Sequence, residues 1–332
     1  LLSFDENLST PPGQSCASCH DPLFGFADPD KGLPVSEGVI PGLFGGRNSP
    51  AAAYAMYAPI FHFDEIEGLY IGGQFWDGRS KGGVEGALFD PLADQALGPF
   101  TNDVEMANPD ERTVIRDVAL STYKELYESV WPGTDLDAWE TMSDEDIRTA
   151  YEQVAMSIAA FERTERFGQF SSKDDAYLEA CLDMGGDMDD CAKGIGPEAE
   201  SAGKKIFSKK EWYGMQLFMD EDEGGAKCVL CHVADWTAKA DYDLDVIVPA
   251  WAPSGMVPPL FTDFTFDNLG VPKSEHRLLM NNAVDYGLGD IVGAVENGKF
   301  KVMTLRNIQL TAPYAHNGFF KTLNDITHFY NT

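Results

Sequence analysis

Cys16-Ala17-Ser18-Cys19-His20 and Cys228-Val229-Leu230-Cys231-His232 are two copies of one device, C-x-x-C-H. Two thiols at this spacing can add across the vinyl groups of one porphyrin. The imidazole that follows can turn onto its iron, so each copy reads as covalent c-type haem attachment. A zinc site would have the Cys pairs share a metal, or place a spaced His pair after them. Neither pattern is present. A thioredoxin-like C-x-x-C does not need the His. A fold built on this chain must therefore close around two large flat cofactors.

The 332 residues are too many for one small cytochrome and suggest two domains, 1–166 and 167–332, each owning one haem. Residues 1–60 are rich in Gly, Pro and Asn and lack sustained periodicity. They read as loops and short helices around the first haem, and 61–100 continues in that way. A helix is expected from Asn108-Pro109 to about Val130, with Pro in the first turn. A second starts near Ser143, with Ile147, Tyr151, Val154, Ala155, Ile158 and Phe161 on one face. The Gly- and Asp-rich stretch 168–196 is the expected boundary, and its acidic part, Asp183–Asp190, reads as a solvated loop. A third helix is expected from Pro197 to Met219, and a short strand over Phe300–Leu305. The fold class is mainly α: two cytochrome c-like domains, loop-rich, with few short strands.

Composition excludes some functions. Net charge is −30, from 54 acidic and 24 basic residues. Nucleic acid phosphates would be repelled, whereas basic partners would be steered in. Adaptation to a salty or exposed setting fits the charge equally well. No run of 18 apolar residues offers a membrane span. Haem is attached to C-x-x-C-H outside the bacterial cytoplasm, so a periplasmic, extracellular or cell-surface protein is expected, its signal peptide already removed. The haems take four of the six Cys. Cys181 and Cys191 remain, either as a disulfide, the favoured state in an oxidising compartment, or as two buried thiols.

Further blocks accompany the haem motifs. They are Arg47-Asn48-Ser49-Pro50, Gln74-Phe75-Trp76-Asp77-Gly78-Arg79, Gln95-Ala96-Leu97-Gly98-Pro99 with Glu105-Met106, and Thr304-Leu305-Arg306-Asn307 running on to Leu310-Thr311-Ala312-Pro313-Tyr314-Ala315-His316-Asn317-Gly318. In this order the chain resembles the bacterial di-haem cytochrome c peroxidase and MauG family over nearly its whole length.

The resemblance implies that the first haem, on His20, is the peroxide site and the second, on His232, a low-spin electron store. Glu105 matches the distal carboxylate, which can carry a proton between the peroxide oxygens; Gln95 and Pro99 shape the same pocket. Some members block the first iron at rest with a His from the following loop. Here that loop, Gly32-Leu33-Pro34-Val35-Ser36-Glu37-Gly38, has none, so the first iron is expected to meet peroxide without prior reduction. Trp76 matches the Trp between the haems. The distal ligand of the second haem lies fourteen positions after the His of the Pro-Tyr-x-His-x-Gly block, which from His316 reaches Tyr330. Peroxidases carry Met there and MauG-type enzymes Tyr. A phenolate favours oxidised iron, a thioether reduced iron. His328, two residues away, is the competing ligand, and Met303 stands where the family usually has Pro. Asn48, Thr311 and Pro313 match a calcium site between the haems. Arg306 and His316, with Arg79, are expected at haem propionates; His62 and His276 have no assigned role.

The segment between Trp76 and Gln95 is about nine residues longer than the family spacing, and the Cys181–Cys191 loop lies outside the motif. The implied function is a MauG-like oxidase that uses hydrogen peroxide to reach a bis-ferryl type state and oxidises Trp or Tyr of a partner protein at a distance. The rivals are a cytochrome c peroxidase fed by a small electron-donor protein, and a non-catalytic dihaem electron carrier.

Overall fold

The Asp144–Glu162 helix is the spine of the first half. Ser143 caps it: its hydroxyl accepts from the Asp146 N–H, and the Asp146 carboxylate accepts from the Ser143 N–H. Three acidic residues in the first turn face the positive end of the dipole. Ile147, Tyr151, Val154, Ala155 and Ile158 are buried, and Phe161 is half-buried. Each fully buried large apolar side chain contributes about 1.5–3 kcal/mol. This face packs against the helices Pro91–Ala96 and Glu111–Ala119. The computed structural model describes residues 1–222 and 224–331.

Three expected elements are divided differently. The helix from Pro109 to Val130 is two helices, Glu111–Ala119 and Lys124–Val130. Asp110, not Asn108, caps the first, accepting from Thr113 N–H at 2.8 Å. Asn108 instead is buried and donates to the carbonyls of Leu8 and Phe100. The helix from Pro197 to Met219 is broken at Phe207 into Gly196–Ile206 and Lys209–Met219. Ser208 there forms a capping box with Glu211 and starts a new helix. Strand geometry within 300–305 is confined to Phe300–Lys301, paired antiparallel with Phe266–Asp267.

The stretch 168–196 is not an open linker. It holds the helices Lys173–Asp183 and Met188–Lys193, so the acidic run Asp183–Asp190 is in part helical. A Cys181–Cys191 disulfide joins them, buried under Tyr177, Leu178 and Trp236. The architecture is mainly helical with few short strands. Among the described residues the strands form three two-stranded antiparallel sheets.

The segment after Pro59 leaves the first half and docks on the second. Gly72 N–H donates to Phe264 O at 3.0 Å, and Lys301 N–H to Trp76 O at 2.9 Å. One apolar cluster likewise joins Tyr54, Met56 and Tyr57 to Phe167, Val246, Val257 and Leu260.

Candidate functional site

The first C-x-x-C-H motif opens on a short helix, Cys16–Cys19, capped by Ser15. His20 follows, and its Nδ1 lies 3.2 Å from Phe26 O. That bond fixes the ring and leaves Nε2 for a metal. Burial pushes both Cys16 and Cys19 thiols up to about 12. The Glu105 charge contributes at both, so the structure brings Glu105 to the motif.

Glu105 stands on a tight turn after the short Gly98–Thr101 helix. Asn102 Nδ2 donates to Glu105 Oε1 at 2.6 Å, and Val39 N–H to Glu105 O at 2.8 Å. Pro99 O accepts from Met106 N–H at 3.2 Å, tying Pro99 to the same turn. Gln95 lies one turn earlier, at the end of the Pro91–Ala96 helix. Burial raises the Glu105 carboxyl above its usual range, and Asn102 and Arg79 oppose that. Arg79 therefore belongs to this site; its guanidinium stacks 3.5 Å above Phe75 and donates to Asp77.

The long 77–94 segment borders the same region. It closes on itself through Asp94, whose carboxylate accepts from Gly82 and Ala87 N–H, and leaves Val84 fully exposed at its tip. The loop after the first motif is anchored by buried Val35 and by Ser36 bonding Asp28. Sequence reading missed Glu162 here. Burial pushes its carboxyl up to about 8, and its charge reaches Cys16. A Glu at the end of a helix carries no signal of that in sequence.

The second motif borders a cavity of about 1610 Å³. Cys228, Cys231, His232, Trp76, His316 and Tyr330 line it. His232 Nδ1 lies 2.9 Å from Phe261 O, repeating the orientation of the first His. Two thiols and an oriented imidazole on one wall of a large, mostly apolar space fit a covalently held porphyrin.

Tyr330 ends the Leu323–Tyr330 helix, which Thr322 caps through Asp325. It is 53% exposed. Desolvation of its phenol, with the Asp267 charge, pushes it up to about 12. A phenolate here needs a cation facing it, as a ferric iron would provide. His328 and Met303 line the same cavity. Residues two apart on a helix point to nearly opposite sides, so His328 and Tyr330 cannot both meet one iron.

His316 stacks on Phe300 at 3.5 Å, and burial lowers it to about 4. Arg306 is buried. It donates to both oxygens of Asp175 at 2.8 Å and twice to Pro259 O. All three guanidinium nitrogens thus have partners within the protein, and N–H groups on the two terminal nitrogens are left for the propionate contact expected of it. Asn48, Thr311 and Pro313 reach the wall of the same cavity. His62 Nδ1 bonds Ile60 O, and His276 Nδ1 accepts from Leu278 N–H; both are local turn contacts.

Trp76 lines the second cavity, three residues before Arg79, whose charge reaches Glu105. It sits on a loop closed by Gln74 N–H to Ser80 O at 2.8 Å. Gly73 and Gly78 turn this loop with φ of +68° and +71°, and a Cβ on Gly78 would meet Phe61 and Phe266 at 2.8 Å. The Trp76 indole N–H donates to Asn48 O at 2.8 Å, and its ring lies 6.5 Å from His316, edge to face.

A family model for di-haem cytochrome c peroxidase matches residues 1–181. MauG, the methylamine utilization protein of Paracoccus denitrificans, is 32% identical, over 99% of this chain and 72% of that protein. Cytochrome c551 peroxidase of Nitrosomonas europaea is 26% identical, over 97% and 68%. The crystal structure of the diheme peroxidase BthA from Burkholderia thailandensis superposes with a TM-score of 0.74 at 26% identity, covering 99% of this chain and 69% of that one. Fold, paired haem cradles and relatives define a haem-dependent oxidoreductase acting on peroxide. The chain belongs to the di-haem cytochrome c peroxidase and MauG family, whose membership implies two c-type haems.

Proposed function

We propose that the protein is a MauG-like oxidase. It uses hydrogen peroxide to withdraw electrons, one at a time, from Trp or Tyr side chains of a partner protein. The observation that carries this reading is Tyr330, at the wall of the cavity that Cys228, Cys231 and His232 share. The phenol lies within electrostatic reach of both thiols of that motif.

Cys16, Cys19 and His20 would hold the first haem, which would supply the redox-active iron for peroxide reduction. Glu105 accepts the proton of the near peroxide oxygen and returns it to the far one, which leaves as water. Its raised affinity for protons suits it to hold one between the two transfers. Pro99 and Gln95 shape the space around it. Trp76 would conduct between the two halves, 1–166 and 167–332, and Tyr330 would offer the second haem a phenolate ligand, which favours oxidised iron. Asn48, Thr311 and Pro313 would offer oxygen donors to a calcium ion, the donor type that ion prefers. The protein works outside the cytoplasm.

A cytochrome c peroxidase is the second reading, favoured by relatives of that name. Electron paramagnetic resonance of the diferric protein separates the two. The proposal expects one high-spin haem and one low-spin haem whose signal changes in Tyr330→Phe. A second-haem signal of His/Met or bis-His type, or rapid turnover with reduced cytochrome c, would refute it.

A further inference from the structure

Lys301 is buried at 5% exposure, yet its ammonium donates to a single carbonyl, Gly73 O, while its backbone N–H holds Trp76 O. The next residue of the Trp76 loop, Asp77, is 4% exposed. Asp77 accepts from Arg47 at 2.5 Å and from Arg79 at 3.1 Å, and Arg47 also grips Asp285 at 2.7 Å. A buried ammonium held by one carbonyl is costly, and a packing role alone would be met by an apolar side chain at 301. Both residues are tied to the Trp76 loop, Asp77 as the next residue and Lys301 through its bonds to Gly73 O and Trp76 O.

We propose that Asp77 and Lys301 are positioning residues that set the ease of one-electron transfer through Trp76, Asp77 favouring it and Lys301 opposing it. This rests on the reading of Trp76 as the conduit. In the step an electron leaves the indole for the more oxidised haem, and one from the other haem replaces it. No bond forms or breaks. The indole keeps its Nε1 proton, because its partner is the Asn48 carbonyl and not a base. The transient charge is therefore a cation, stabilised by a nearby carboxylate and destabilised by a nearby ammonium.

Asp77 acts on Lys301 directly, and burial lowers that amine to about 7. Arg47, Arg79 and Asp285 join through Asp77; Asp267 lies on the strand paired with Lys301; His316, lowered to about 4, is neutral. At pH 6 Lys301 is charged and its effect is largest.

The test is stopped-flow absorbance of the diferric holoprotein at pH 6 with one equivalent of hydrogen peroxide. It follows the rate at which the second haem is oxidised, with haem content and thermal unfolding as controls. Asp77→Asn should slow this rate about tenfold, Lys301→Met should speed it by a similar factor, and Lys301→Arg should keep the parent rate. A merely structural role predicts that Asp77→Asn and Lys301→Met both slow it. That result, or no change in either, overturns the proposal and leaves the conduit standing, provided Trp76→Phe slows transfer. An unchanged rate in Trp76→Phe removes the conduit and the proposal together.

Discussion

The two haem cradles share one proximal device and differ in everything that faces it. At each, a His follows the second Cys and its Nδ1 meets a backbone carbonyl, Phe26 O or Phe261 O. Around the first, the chain places a carboxylate on a rigid turn, Glu105, with Asn102 and Arg79 against it. Around the second it places an aromatic wall of Trp76, Phe300 and His316, and a helix end that carries Tyr330. A proton-handling group suits bond cleavage; aromatic and phenolic groups suit charge storage. The motif fixes the cofactor, and under the proposed function the distal surroundings divide the labour.

The largest effect should come at the first cradle alone. Glu105→Gln keeps the shape and the Asn102 contact but cannot relay the proton. Its second-order rate with peroxide should fall by about 10²–10⁴, with the second haem's spectrum unchanged. A loss below tenfold would place proton transfer elsewhere, with Glu162 the next candidate.

Behind the second cradle, Asp175→Ala leaves the buried Arg306 guanidinium without its counter-charge. Denaturant unfolding should show a loss of about 3–5 kcal/mol. The peroxide rate at the first haem should stay near the parent value in protein that remains folded.

Lys301 should give a smaller, pH-dependent term. Its folded-state value is lowered from 10.5 to about 7. Between those values the unfolded chain holds a proton that the folded chain does not. This contribution to stability therefore rises with pH from about 7 to about 10.5 and is lost as pH falls towards 7. Unfolding of the parent and of Lys301→Met across this window should show the parent gaining relative to the variant as pH rises.

The smallest effect is expected of His328→Ala. With Tyr330 as ligand, the second haem's spectrum and potential should not move; loss of its low-spin signal would reverse the assignment.

The sequence made the cofactors and the order of the site blocks legible, because thiol spacing and a following His are local chemistry. It also made the Asp144–Glu162 spine legible through a regular apolar face. The breaks at Leu120–Tyr123 and at Phe207 were harder to see, since both flanks continue a helical pattern. The Ser208-x-x-Glu211 cap was nevertheless written in the chain. The Arg306–Asp175 pair was not legible, because the two residues lie 131 positions apart. The Asp77–Arg47–Asp285 network is likewise a product of tertiary closure, spanning 238 positions between Arg47 and Asp285. No local pattern announces such pairs.

The most direct test of the division of labour adds one equivalent of hydrogen peroxide to the diferric holoprotein and follows both haems by electron paramagnetic resonance. The high-spin and low-spin ferric signals should fade together and return slowly, and in Tyr330→Met only the high-spin signal should fade. If the parent protein loses the high-spin signal alone, or behaves as Tyr330→Met does, the second cradle does not store the oxidising charge and the MauG-like reading is wrong.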